Sequence, residues 1–347
     1  MDDFAKRSPE DRADLFRAVA AHRGLASSII EKDFWVCWTL KRLFHRRPPP
    51  AGLLFKGGTS LAKVFKVIER FSEDIDISVN RDDLGFGDGS DPAVAKTGKQ
   101  RQRQLHSLAA ACRQFIERSL LPELREAFEA SLGQAAGKTW SLDSAPEDPN
   151  HQTLLFRYPN SDIGATSGGP AYIHPAVRLE IGARSDHWPA TEAEVTPYAA
   201  EDFPALFSSP TFTVHVLAAE RTFWEKATIL HAWHHAPADK ALRGRQSRHY
   251  YDLVCMYERG VGRNAMKNTE LLLQVAAHKS VFFASAAAQY VKARPGSLRL
   301  VPPKWRLDEL RRDYENMREM IFGTAPAFEN IIASLETIES AINNTAS

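Results

Sequence analysis

The sequence predicts an α+β protein: a mixed sheet with flanking helices over residues 1–216, followed by an all-helical domain over 217–347. Three observations carry this. Strand-like segments are confined to the part before residue 217, helical periodicity dominates after it, and no long flexible linker separates the two. With 347 residues the chain is long enough for two cores of ordinary size.

The elements follow in order. Apolar residues recur at helical spacing over 10–22 and 27–45, with Ser27 and Ser28 as N-caps and Pro48-Pro49-Pro50 as the stop. Residues 52–55 read as a short strand. Gly57-Gly58-Thr59-Ser60 then turns into a helix patterned through Leu61, Val64, Phe65 and Ile68. Ile75, Ile77 and Val79 alternate with Asp74, Asp76 and Ser78, the period-2 signature of a strand with two carboxylates on one face. Residues 82–95 and 143–151 read as loops, and 100–132 as a long helix that Pro122 kinks or divides. Further strands are expected at 153–158, 176–183 and 211–216, the second carrying Glu180 between Leu179 and Ile181. Helices are expected over 217–234, 247–258, 264–280, 304–321 and 327–343, with Pro302-Pro303 breaking the run.

Composition narrows the function classes. Forty-four basic and 43 acidic residues give a net charge of +1, and 44% hydrophobic content is ordinary for a globular chain. A disordered tail, a collagen-like fibre and a globally basic nucleic-acid coat are excluded, since each needs a strong skew. Cys37, Cys112 and Cys255 show neither a disulfide framework nor zinc-ligand spacing. With no apolar leader or membrane-spanning run, the chain reads as cytoplasmic, with no membrane partner.

The chemistry is concentrated between residues 55 and 77. Two glycines between a strand and a helix let the backbone approach a ligand, and free N–H groups at the helix start favour phosphate. Asp74 and Asp76 then place hard oxygen ligands side by side, where Mg²⁺ could bridge them to a triphosphate. Each part alone is commonplace, a plain turn and a solvated strand face. Their order on strand, turn, helix and strand is what suits phosphoryl or nucleotidyl transfer.

The string GGTSLAKVFKVIERFSEDIDI, residues 57–77, resembles the signature of the AbiEii/AbiGii toxin family, which includes the MenT-type toxins of mycobacteria. Weaker likeness extends from Glu31-Lys32-Asp33-Phe34-Trp35-Val36 to Asp252. The resemblance implies a DNA-polymerase-β-like nucleotidyltransferase domain with a helical second domain. It further implies a toxin that uses an NTP with Mg²⁺ to add nucleotides to the 3′ end of tRNA. By the same resemblance Asp74 and Asp76 are the metal-binding pair, and Gly57, Gly58, Thr59 and Ser60 form the phosphate-side turn. Ser72 aligns with a serine that is a regulatory phosphorylation site in some relatives; a phosphate there would repel the acidic pair.

Other residues carry two readings each. Glu180 is either a third carboxylate acting as general base or a partner of Arg178 or Arg184. Lys63 lies within reach of phosphate or is simply solvated. Two stretches, 219–227 and 248–253, look like later family motifs. In them Lys226 is the candidate counter-charge for the triphosphate. Asp252 either pairs with Arg248 one helical turn away or, as the resemblance implies, orients Lys226 or an active-site water, and Arg221 with Glu225 is read as a structural pair. Glu31, Lys32 and Asp33 match the family's early motif, but on a helix such a triplet is more often an exposed charged turn.

Partners follow from charge. Basic stretches at 96–125 and 240–249 could track an RNA backbone, although charge runs are usually only solvated surface. NTP, tRNA or another RNA, and a cognate antitoxin are the expected partners. Two alternatives remain: a transferase of the same fold that modifies a protein or small molecule, and a catalytically inactive binding module.

Overall fold

The computed structural model describes residues 1–45, 52–133, 139–161, 174–241 and 244–346. The Pro48-Pro49-Pro50 stop lies outside the described residues. The chain separates into two compact units. One comprises Met1–Val64, Ser72–Asp91 and Gln102–Val216; the other comprises Phe65–Phe71, Pro92–Arg101 and Leu217–Ser347.

The first unit is built on a seven-stranded sheet among the described residues: Leu53–Lys56 (β1), Asp74–Val79 (β2), Ser141–Ser144 (β3), Thr153–Arg157 (β4), Ala176–Gly182 (β5), Ala190–Val195 (β6) and Phe212–Leu217 (β7). The spatial order is β3-β4-β5-β2-β1-β7-β6. β1 runs antiparallel to β2 and parallel to β7, β2 is parallel to β5, and β4 is antiparallel to both β3 and β5, so the sheet is mixed as expected. Alternation in β2 sorts its side chains: Ile75, Ile77 and Val79 are buried on one face, and Asp74 and Asp76 are half-buried on the other. Helix Ser27–Phe44 supplies much of the apolar core of this unit. Trp38 stacks on Phe156 at 5.6 Å between ring centroids and Trp35 on Tyr158 at 5.5 Å. Such ring pairs add about 0.5–1.5 kcal/mol each beyond the area they bury.

Departures from expectation have local causes. β3 falls partly in a stretch read as loop, and β6 was not expected at all. Both lie at the edges of the sheet, and each buries a single side chain, Leu142 or Val195, leaving no alternation to read. Helix Ser27–Phe44 starts from Ala26 with no side-chain cap, so neither Ser27 nor Ser28 caps it. Ser8 does cap helix Pro9–Arg23, its Oγ accepting the Asp11 N–H at 3.1 Å. The expected helix over 100–132 is Gly98–Phe115, a π turn at Ile116–Leu120, and Leu121–Leu132. Pro122 has no N–H to give to the preceding turn, which widens there.

The second unit contains helices Ala219–His234, Ser247–Glu258, Val261–Ala265, Thr269–Phe282, Leu307–Met317 and Phe328–Asn343. The helix expected over 264–280 is two, because Asn268 caps the later one by accepting the Leu271 N–H. Gly262 lets the short helix press on its neighbour: a Cβ there would lie 2.7 Å from the Phe223 ring. The helix after the glycine turn, Gly57–Lys63, is shorter than its apolar pattern suggests. Residues 65–71 instead join the helical unit as an irregular segment, with Lys66 at φ +52°. Arg70 forms a β-bridge with Ile321, Phe71 N–H donates to the Met320 carbonyl at 2.7 Å, and Phe322 N–H donates to the Glu69 carbonyl at 2.8 Å. Among the described residues no helix is long and apolar enough to cross a membrane.

Candidate active site

The register of the sheet sets the acidic face. Asp76 lies opposite Lys56 on β1 and Glu180 on β5, and Asp74 lies opposite Arg178. Residues in register share a face. Asp74, Asp76 and Glu180 therefore sit on one side of two adjacent strands. Glu180 is half-exposed, and Arg178 Nε lies 3.8 Å from its Oε1; Arg178 also pairs with Glu147. The ion-pair reading of Glu180 is thus realised in part, while its place beside Asp76 keeps it on the acidic face. Among the described residues no group of three or more His, Cys, Asp or Glu side chains is arranged to hold a metal ion, so this face offers the Asp74–Asp76 pair.

The glycine turn meets that pair directly. Gly57 has φ +82°, and a Cβ on it would stand 1.9 Å from Asp76 Oδ2. Backbone and carboxylate are close enough that only glycine fits, so the main chain of the turn lies against a hard oxygen ligand of the kind a small cation takes. Thr59 and Ser60 face inward. Ser60 Oγ donates to the Gly57 carbonyl at 2.9 Å, and Thr59 Oγ1 donates to the Asp74 main-chain carbonyl and lies 3.1 Å from Ser72 Oγ. These hydroxyls fix the turn onto β2. Gly57 and Gly58 provide its half-buried surface.

Glu31, Lys32 and Asp33 are not an exposed turn: they are 3%, 3% and 4% exposed. Successive helical residues point about 100° apart, so a wholly buried triplet requires a helix enclosed on several sides. Apolar Ile29, Ile30, Phe34, Trp35 and Val36 around it are the sequence signal for that enclosure. Each charge then holds a different segment. Glu31 Oε1 accepts the Ser161 N–H at 2.9 Å. Lys32 pairs with Glu73, next to Asp74, and donates to the His174 carbonyl at 3.1 Å. Asp33 Oδ2 accepts the Tyr198 N–H at 2.7 Å, and its Oδ1 lies 2.6 Å from Lys63 Nζ. Lys63 is buried, with its ammonium over the Tyr198 ring. Burial alone would depress its pKa, but the Asp33 carboxylate overrides this and raises it. Its charge is engaged in tying the Gly57–Lys63 helix to the Ser27–Phe44 helix.

The helical unit holds a second constellation. Asp252 is fully buried. Arg70 grips it with both arms of its guanidinium, Nε to Oδ1 at 2.7 Å and Nη2 to Oδ2 at 2.8 Å. Lys226 Nζ donates to the same Oδ2 at 2.8 Å and lies 3.4 Å from His249 Nδ1. Burial would raise the Asp252 carboxyl, but Arg70 and Lys226 hold it well below the usual carboxylate range. Burial also pulls the Lys226 ammonium below the ordinary lysine range, and Arg70 adds to the fall against the pull of Asp252. His249 is driven neutral by burial and by the charges of Lys226 and Arg248. Lys226 and Asp252 are therefore brought together. The alternative pairing of Asp252 with Arg248 gives way to Arg70, whose role the sequence reading missed although Arg70 stands in the quoted 57–77 string. Arg221 Nε lies 3.3 Å from Glu225 Oε1, the structural pair expected.

A family model described as nucleotidyl transferase AbiEii toxin, type IV TA system, matches residues 38–338. The chain belongs to the AbiEii family. It is a nucleotidyltransferase and a toxin of a type IV toxin–antitoxin system. Among solved structures the chain is similar to MenT4, a nucleotidyltransferase toxin from Mycobacterium tuberculosis H37Rv, at 16% identity and a TM-score of 0.48, over 95% of this chain and 89% of that one. No curated protein matches it in sequence. The AbiEii match includes the glycine turn, the acidic pair, Lys226 and Asp252; the buried triplet at 31–33 precedes it.

Proposed function

We propose that this AbiEii-family chain moves a nucleoside monophosphate from an NTP to the 3′ end of tRNA and so blocks translation. The observation that supports the reading best is the Asp74–Asp76 pair set against Gly57, in a family of nucleotidyltransferase toxins. Asp74 and Asp76 would hold a divalent cation, Mg²⁺, which when bound supplies positive charge to the triphosphate. Gly57 and Gly58 let the main chain approach the phosphates. Lys226, fixed by Asp252, is the counter-charge for negative charge that grows on the leaving pyrophosphate. In the transfer step the 3′-hydroxyl oxygen bonds to the α-phosphorus, and the bond from that phosphorus to the bridging oxygen breaks. Pyrophosphate departs with the electron pair, and the hydroxyl proton passes to a carboxylate, for which Glu180 is the candidate.

Exposed cations support an RNA acceptor. Lys96 and Lys99 are exposed, as are Arg103, Arg113 and Arg118. In the 240–249 stretch Lys240 and Arg245 are exposed, and residues 242 and 243 lie outside the described residues. Ser72, beside Thr59 at the entry to β2, is the proposed regulatory phosphorylation site. A cognate antitoxin, a cytoplasmic location and a role in abortive infection complete the reading.

Incubation with total RNA, Mg²⁺ and each labelled NTP in turn tests donor and acceptor together. Label is expected at the 3′ end of tRNA, and Asp74→Ala or Asp76→Ala is expected to abolish both transfer and growth inhibition. Survival of either activity in those variants, or label appearing in protein or a small molecule alone, overturns the reading.

A further inference from the structure

We infer that Arg70 is a positioning residue for the transfer reaction, orienting Asp252 and leaving Lys226 with an ammonium charge that the carboxylate does not cancel; this rests on the reading of Lys226 as the counter-charge. The stoichiometry of the cluster carries it. A buried carboxylate is neutralised by one cation; a second cation on it leaves the cluster with a net positive charge, whose desolvation its hydrogen bond to the same carboxylate offsets only in part. Asp252 has two, Arg70 at 2% side-chain exposure and Lys226 at 7%, and His249 adds no anion. A purely structural ion pair needs one of these cations, and the second leaves the cluster one positive charge over. An anionic substrate gives the surplus charge a use.

Geometry assigns the roles. The guanidinium fork contacts both carboxylate oxygens and fixes the plane of the group, whereas Lys226 reaches Oδ2 alone. Lys226 is thus held in place by a carboxylate already committed to Arg70. The groups that face it are Asp252, His249 and Arg248 from helix Ser247–Glu258, and Arg70 from segment 65–71. On its own helix Glu225 is paired with Arg221, and Lys279 of helix Thr269–Phe282 donates to the Glu225 carbonyl. The depressed Lys226 pKa agrees with this arrangement.

The test uses the full chain with labelled NTP and its RNA acceptor, and measures kcat, KM and the pH profile of kcat. Arg70→Gln is expected to lower kcat by about 10- to 100-fold, the usual loss when the partner of a site residue is removed. KM is expected to change little. The alkaline limb of its profile is expected to move to higher pH, because Asp252 then neutralises Lys226 alone. Arg70→Lys keeps the charge without the fork, so the limb is expected to stay and kcat to recover only in part. Wild-type kcat or a wild-type limb in Arg70→Gln overturns the inference; a moved limb shows that the Arg70 charge reaches Lys226, and it is the merely partial recovery of kcat in Arg70→Lys that a structural cation would not give. If that variant does not fold, full kcat in Arg70→Lys, or a wild-type alkaline limb in the ordinary lysine range, overturns it instead. Asp76→Ala separates the two readings: transfer that survives it removes the proposed reaction, whereas its loss beside a wild-type Arg70→Gln removes only the role of Arg70.

Discussion

A methyl group at position 57 would stand 1.9 Å from Asp76 Oδ2 and 2.6 Å from Cγ, so the carboxylate has to move. Gly57→Ala is therefore expected to lower transfer by about 100-fold, the scale of loss for a misplacement of about 1 Å at a reacting centre. Its cost to folding is expected to be roughly 1–2 kcal/mol of left-handed backbone strain. Gly24→Ala is the control: its φ is +65°, but a Cβ there meets nothing within 4 Å. The melting shift of Gly57→Ala is expected to be at least that of Gly24→Ala, with transfer lost only in Gly57→Ala, and an active Gly57→Ala enzyme would show that Asp76 need not stay where it is. The turn and the acidic pair were legible because both rest on local rules, glycine's backbone freedom and the strand period. The surroundings were less so. Lys63 reads as a phosphate ligand until Asp33, thirty positions earlier, is found against its ammonium at 2.6 Å. Nothing in a local window connects those two residues.

Helix Ala219–His234 carries a second titrating device in His231, which is wholly buried. Its Nε2 donates to the Gln289 carbonyl at 3.2 Å, and its Nδ1 accepts the Arg299 N–H at 3.0 Å. A proton on Nδ1 would face another N–H. Burial, with His235 and His234 adding to it against the bond to the Gln289 carbonyl, lowers the His231 pKa to about 4 from 6.5. Because the folded value is the lower one, the stabilisation is complete above pH 6.5 and is lost as pH falls toward about 4. Thermal melting from pH 7 to 5 is expected to show a falling midpoint in the wild-type chain. His231→Gln is expected to start lower and fall less steeply; an unchanged slope would assign the titration elsewhere. Elements of this kind were legible where one face is apolar, as in Phe328–Asn343, which buries Phe328, Ile331, Leu335, Ile338 and Ile342 at helical spacing. β3 and β6 escaped because edge strands bury too little to leave a pattern.

Across the molecule, the sheet-bearing unit ends at Val216, but the helical unit also takes residues 65–71 and 92–101. Their membership was not legible, since it rests on contacts such as the bridge from Arg70 to Ile321, far apart in the chain. A polypeptide of residues 217–347 alone lacks Arg70. It also lacks the whole 65–71 segment, so the Met320 carbonyl and the Phe322 N–H lose their main-chain partners at Phe71 and Glu69, and each such group left buried and unpaired costs about 1–3 kcal/mol of the roughly 5–15 kcal/mol that keeps a domain folded. That fragment is expected to give no cooperative melt by circular dichroism, and a transition matching the full chain would disprove the dependence. The same interleaving bears on inheritance. A recombination between two diverged homologous genes at codon 217 would look clean, joining one parent's sheet to the other's helices. It would nevertheless combine an arginine segment from one lineage with the aspartate helix of another. Offspring genes could exchange these halves freely only while that buried contact stayed compatible in both parents.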